Sequence, residues 1–127
     1  MIECYPYKVT AKDTPYWIPV ILFKRCFDQH DFICNRVAKT VVDAYSNNWF
    51  YTNPDGRLMY ELATVQIVSG KTQFISGRHR TSVLIKHIDP LPIALYKNAL
   101  TFAGELNLEP IDLSKSIYLP SLQMRDY

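Results

Sequence analysis

The chain has 127 residues, 48% apolar and 20% charged, with a formal net charge of +2. That length suits one domain around one core, and the composition excludes a disordered chain. Its longest apolar run, Trp17–Phe23, contains Pro19 and falls far short of the roughly 18–20 residues that cross a bilayer, so no membrane partner is expected.

In chain order, Ile2–Val9 reads as a first strand and Ile18–Phe23 as a buried second one, with Pro15 and Pro19 limiting where it can pair. Asp28 or Asp31 can cap a helix running to about Ser46, because Val37, Ala38, Val41, Val42 and Tyr45 recur at helical spacing. The aromatic run Trp49-Phe50-Tyr51 follows, then a turn at Asn53-Pro54-Asp55-Gly56. Leu62–Val68 reads as a strand, which Ser69-Gly70 can turn into a second strand, Thr72–Ile75. At Ser76-Gly77 the strand pattern stops. A helix opens there with Val83, Leu84, Ile85 and Ile88 as its apolar stripe, and Asp89-Pro90 closes it. Pro92–Tyr96 returns as a strand, Ala99–Leu106 as a short helix, and residues from about 107 to 127 as an irregular tail that Tyr118, Leu119, Leu122 and Tyr127 can dock. Interspersed strands and helices predict an α+β (mixed α/β) fold filling residues 1–127 as one domain.

The charge is unevenly spread. Residues 57–97 carry six basic side chains against two acidic ones, whereas residues 1–56 balance at six each. An anionic partner is therefore expected at the middle segment. The N-terminus has no basic start followed by an apolar block, so a cytoplasmic protein is expected. Three cysteines, Cys4, Cys26 and Cys34, are too scattered for a disulfide framework. Cys26, His30 and Cys34 fall on one helical row whose adjacent members could share a metal, but all three cannot reach one ion because i to i+8 spans about 12 Å. Half-buried thiols, and no metal, are the expectation.

The stretch that carries chemistry is Phe74-Ile75-Ser76-Gly77-Arg78-His79-Arg80-Thr81-Ser82. Cations in the first turn of a helix are disfavoured by about 0.3–1 kcal/mol each, since free N–H groups already make that end positive. An anion held there reverses the sign, with Arg78 and Arg80 pointing at it, Gly77 allowing close backbone approach, and Thr81 and Ser82 adding hydroxyl donors. The natural anion is a phosphate. The competing reading makes both arginines surface residues, solvated or paired with Asp89 or Glu61, and Gly77 a plain turn.

From Leu62 to Tyr96 the order of parts resembles the central unit of the ParB/sulfiredoxin fold. The matching pieces are Ala63-Thr64-Val65-Gln66-Ile67, Thr72–Ile75, Gly77-Arg78-His79-Arg80 and Leu91-Pro92-Ile93-Ala94-Leu95. In that family the Gly-x-x-Arg loop holds nucleotide phosphates, which implies the same for Gly77 and Arg80, with His79 and Thr81 beside them. Sulfiredoxins carry a nucleophilic Cys where Arg78 stands, so sulfinic acid repair is not expected. Chromosome-partitioning members continue into a helix-turn-helix domain that these 127 residues do not contain, so centromere-type recognition is not expected. The wording is similar to that of single-domain members such as plasmid fertility-inhibition factors of mobile elements, which act by disabling another protein.

His79 is a candidate general acid or phosphate donor, against packing beneath the helix start. Glu61 and Asp55 are candidate bases or metal ligands, against simple solvation. His87 and Lys86, late in the helix, suit its negative end. Trp49, Phe50 and Tyr51 form a candidate partner-binding cluster, against core packing. Base stacking on nucleic acid ranks below protein binding.

Two functions follow. The first is a small cytoplasmic inhibitor, of the fertility-inhibition or toxin-immunity type, that neutralises a toxin or a transferred effector and keeps a vestigial phosphate loop. The second is a nucleotide-dependent enzyme (an ATPase, small-molecule kinase or nuclease) with the Gly77–Arg80 loop on the phosphates and Mg²⁺ as bridge.

Overall fold

The computed structural model describes residues 1–8, 10, 12–27, 50–68, 71–96, 99 and 107–120. The helix expected between Asp28 and Ser46, the metal row at His30 and Cys34, Trp49, and nearly all of the helix expected at Ala99–Leu106 lie outside the described residues, as do Leu122 and Tyr127.

Period-two patterning makes the first strand, β1 (Ile2–Tyr7): Cys4 and Pro6 face inward, and Glu3, Tyr5 and Tyr7 face out. The apolar run after it divides at Pro19. Strand β2 is Thr14–Ile18, and Val20–Phe27 is helix α1, so the strand expected at Ile18–Phe23 is corrected to a strand end followed by a helix. Short apolar runs do not distinguish a buried strand from a buried helix. Here the choice is made by Asp89, whose Oδ1 accepts the Val20 amide at 2.9 Å and so supplies the helix cap. Phe23 is fully buried on the inner side while Ile21 is exposed.

Strands β3 (Phe50–Thr52) and β4 (Leu58–Glu61) form a hairpin around the expected turn. Gly56 there has φ +89°, and the Arg57 amide donates to Asn53 Oδ1 at 2.9 Å. Strands β5 (Ala63–Val68) and β6 (Lys71–Ser76) pair antiparallel up to Val68 opposite Lys71, and the turn expected at Ser69-Gly70 lies outside the described residues. Helix α2 (Arg78–Leu84) is shorter than the stripe predicted, its chain passing through a turn to a cis Asp89–Pro90 bond before β7 (Leu91–Leu95).

The tail is not irregular throughout, which corrects that expectation. Strand β8 (Glu109–Pro110) pairs with β2, and β9 (Ile117–Leu119) pairs with β1. Leu119 is fully buried, and Ile117 nearly so. Local sequence marks neither segment, because a two- or three-residue strand exists only through its neighbour.

Two mixed sheets result, ordered β3-β4-β1-β9 and β6-β5-β7-β2-β8. The domain is thus a small α+β unit. Leu62, fully buried, is the step at which the chain leaves one sheet and enters the other, its amide donating to Tyr7 O at 3.0 Å. One apolar cluster joins both sheets, with Cys4 and Tyr60 from the first and Ile18, Val65, Leu91, Ile93 and Leu95 from the second. Among the described residues no helix is long and apolar enough to cross a membrane.

Candidate functional site

The loop between β6 and α2 lies against the junction of the two sheets. Gly77 has φ +88°, the left-handed region that side chains resist. A Cβ there would stand 2.5 Å from Ala63 Cβ, 2.6 Å from Arg80 Nη2 and 2.8 Å from Ala63 Cα. Glycine is required twice over, for the conformation and for the space. The small residue Ala63, at the start of β5, lets the loop approach the strand, and Arg80 folds back over the opening.

Arg80 is 6% exposed. Its Cζ sits 5.5 Å from the centre of the Tyr60 ring, and its Nη1 is 3.8 Å from Glu61 Oε2, too long for a hydrogen bond. The Nε and Nη2 atoms are buried with no acceptor among the described residues. The Thr81 and Ser76 hydroxyls, on either side of Gly77, are also buried and without a partner there. Each such group costs about 1–3 kcal/mol when nothing satisfies it, more when charged. Of the six buried side-chain polar atoms in this condition, four belong to Ser76, Arg80 and Thr81. All four can donate. An acceptor-rich anion is what such a set lacks.

The structure separates the two arginines. Two residues apart on a helix means about 200° of rotation, so Arg78 is exposed while Arg80 is buried. Arg78 and Arg80 therefore lie on different faces of α2. Ser82 is buried, and its hydroxyl donates back to Arg78 O at 2.8 Å. His79 lies in the helix, with its side chain outside the described residues. Of the two candidate carboxylates, Glu61 reaches the loop and Asp55 does not; Asp55 sits in the exposed β3–β4 turn, 3.8 Å from Arg57. His87 and Lys86 are exposed in the turn after α2. Among the described residues no three metal-ligating side chains come together.

Phe50 and Tyr51 part company as alternation demands. Phe50 packs inward, its ring 5.4 Å from that of Tyr60, and Tyr51 is 44% exposed. Burial pushes the Tyr60 phenol up to about 12, only partly offset by Arg80, and pushes the Cys4 thiol up to about 11, with Glu3 adding to it. Neither is an acid or nucleophile near neutrality. Sequence reading gave Tyr60, Ala63 and Ser76 no role at the loop, although Ser76 lies within the string singled out for its chemistry and Ala63 opens the first strand of the resemblance. A cleft of about 490 Å³ between β8 and β9, floored by Trp17, is separate from this loop.

No protein-family model matches the chain, and no curated protein and no solved structure matches it.

Proposed function

We propose that the chain is a small binding protein, of the kind that blocks a partner, whose Gly77 loop takes a phosphate-bearing group on Arg80. The observation that carries this is the buried guanidinium whose Nε and Nη2 lack acceptors among the described residues, together with the hydroxyls of Ser76 and Thr81, before and after Gly77 in the chain, which lack partners there too. Hydrogen bonds between charged groups contribute about 1.5–3 kcal/mol each, and a guanidinium fork suits a phosphate. The order β5, β6, Gly77, α2, β7 is consistent with a ParB/sulfiredoxin-like unit, and a fertility-inhibition or toxin-immunity role is the reading that goes with it. Glu61 must yield as the anion enters; being 30% exposed and 3.8 Å away, it can turn to solvent.

Thermal shift tests this, with inorganic phosphate, pyrophosphate, ATP, ADP, CTP and GTP, each with and without Mg²⁺. A ligand at a hundred times its dissociation constant stabilises by about 2.7 kcal/mol, about 10 °C for a chain this long. The expected result is a shift in the wild type that Arg80→Ala abolishes and that Arg80→Lys, keeping the charge but not the fork, greatly reduces. No shift with any of these anions removes the proposal.

A second reading, a nucleotide-dependent enzyme, is favoured by one observation: the part-exposed Glu61 carboxylate stands beside Arg80 and can accept a proton there. It requires Mg²⁺-dependent release of phosphate that Glu61→Gln stops while the thermal shift remains.

A further inference from the structure

We infer that the outer face of the β3-β4-β1-β9 sheet is a docking surface for an arginine-bearing segment of a partner protein. Alternation turns Glu3, Tyr5 and Tyr7 of β1 to this face, and register brings neighbouring side chains beside them. Tyr51 of β3 and Tyr5 of β1 are both aligned with Met59 between them, and Tyr118 of β9 is aligned with Glu3. Contacts agree with that placement. The Tyr7 and Tyr51 rings meet edge to face with centroids 5.2 Å apart, and the Tyr118 hydroxyl donates to Glu3 Oε2 at 3.4 Å. Four tyrosines thus lie on one side of one sheet, and Tyr51 and Tyr118 are 44% and 55% exposed.

Three features select the occupant. First, the face already holds a guanidinium: Arg57 Cζ lies 4.7 Å from the Tyr5 ring centre, so the geometry of stacking an arginine here is realised within the chain itself. Second, among the described residues the carboxylates on this face are Glu3, exposed beside Tyr118, and Glu61, aligned with Tyr7. They stand at opposite ends of β1, spaced along an extended segment laid across the tyrosines. Third, Arg57 is itself held by Asp55 at 3.8 Å, so it does not offset Glu3, whereas Glu61 already shares its charge with Arg80 at the same distance and leaves Glu3 as the principal anion of the face. A phosphate backbone on this face would meet Glu3 and Glu61; arginines would meet both carboxylates and aromatic rings. Arginine is preferred to lysine because its planar cation stacks while also bonding a carboxylate in a fork.

This inference rests on the binding-protein reading and shares Glu61 with the Gly77 site, but its anchors Tyr51, Tyr118 and Glu3 lie outside that site, so the two fail separately. The probe is a fluorescein-labelled peptide of alternating arginine and serine, read by anisotropy on the full chain, beside its lysine counterpart and an oligothymidylate. The arginine peptide is expected to bind, and the lysine peptide to bind several-fold more weakly. The double substitution Tyr51→Ala with Tyr118→Ala should weaken the arginine peptide about tenfold. Glu3→Gln, a surface change that leaves the fold intact, should weaken it several-fold. Both variants should keep the pyrophosphate shift, and Arg80→Ala should keep peptide binding. No binding of the arginine peptide overturns the inference, as does binding that neither variant weakens, or tighter binding of the oligothymidylate.

Discussion

Alanine at position 77 meets two separate obstacles, and the chain contains a control for one of them. Gly56 and Gly77 share nearly the same backbone conformation, φ +89° and +88°, but a Cβ at Gly56 meets nothing within 4 Å among the described residues. Gly56→Ala therefore incurs only the left-handed penalty, about 1–2 kcal/mol. Gly77→Ala adds a collision with Ala63, whose Cα at 2.8 Å is backbone and cannot swing aside, and with Arg80 Nη2 at 2.6 Å. Overpacking of that kind costs a further 1–3 kcal/mol or so, giving roughly 2–5 kcal/mol in all, out of a typical total of about 5–15. With unfolding entropy near 2.1 cal/mol/K per residue, 1 kcal/mol is about 4 °C in this chain. Melts followed by circular dichroism should then fall by about 4–8 °C for Gly56→Ala and about 8–20 °C for Gly77→Ala. Equal losses in the two variants would refute the steric reasoning and mean that the loop can move off β5.

Tyr60→Phe removes a buried hydroxyl that has no partner among the described residues, and should raise stability by about 1 kcal/mol in urea titrations; a loss of that size would reveal an acceptor. The same phenol governs part of the alkaline limb. Its folded value, about 12, lies above the ordinary 10.0, so its contribution is complete below pH 10 and is lost as pH rises through 12. Roughly 2–3 kcal/mol should disappear over that window in the wild type and persist in Tyr60→Phe; parallel curves for the two proteins would contradict the assignment. Asp89→Ala deletes the acceptor of the Val20 amide and should cost about 1 kcal/mol, measured by the same titration; an unchanged midpoint would mean that α1 is capped in another way.

What local sequence determined is what local physics decides. The Asn53-Pro54-Asp55-Gly56 turn, the β5–β6 pairing, the stop at Gly77 and the return strand at Leu91 follow from turn chemistry and from the change of hydrophobic period between strand and helix. The basic string at 78–80 was visible too, as was the possibility that Glu61 pairs with it. Tertiary structure alone decided the remainder, since the deciding partners are far away in the chain. Val20 begins a helix because a residue 69 positions later accepts its amide. Glu109–Pro110 and Ile117–Leu119 are strands because β2 and β1 present open edges to them. Arg78 and Arg80 look equivalent in sequence, but helix rotation and the wall made by Tyr60 and Ala63 bury one and leave the other in water. The tyrosine face could not be read from sequence for the same reason: its residues come from β1, β3 and β9, and only sheet register sets them side by side.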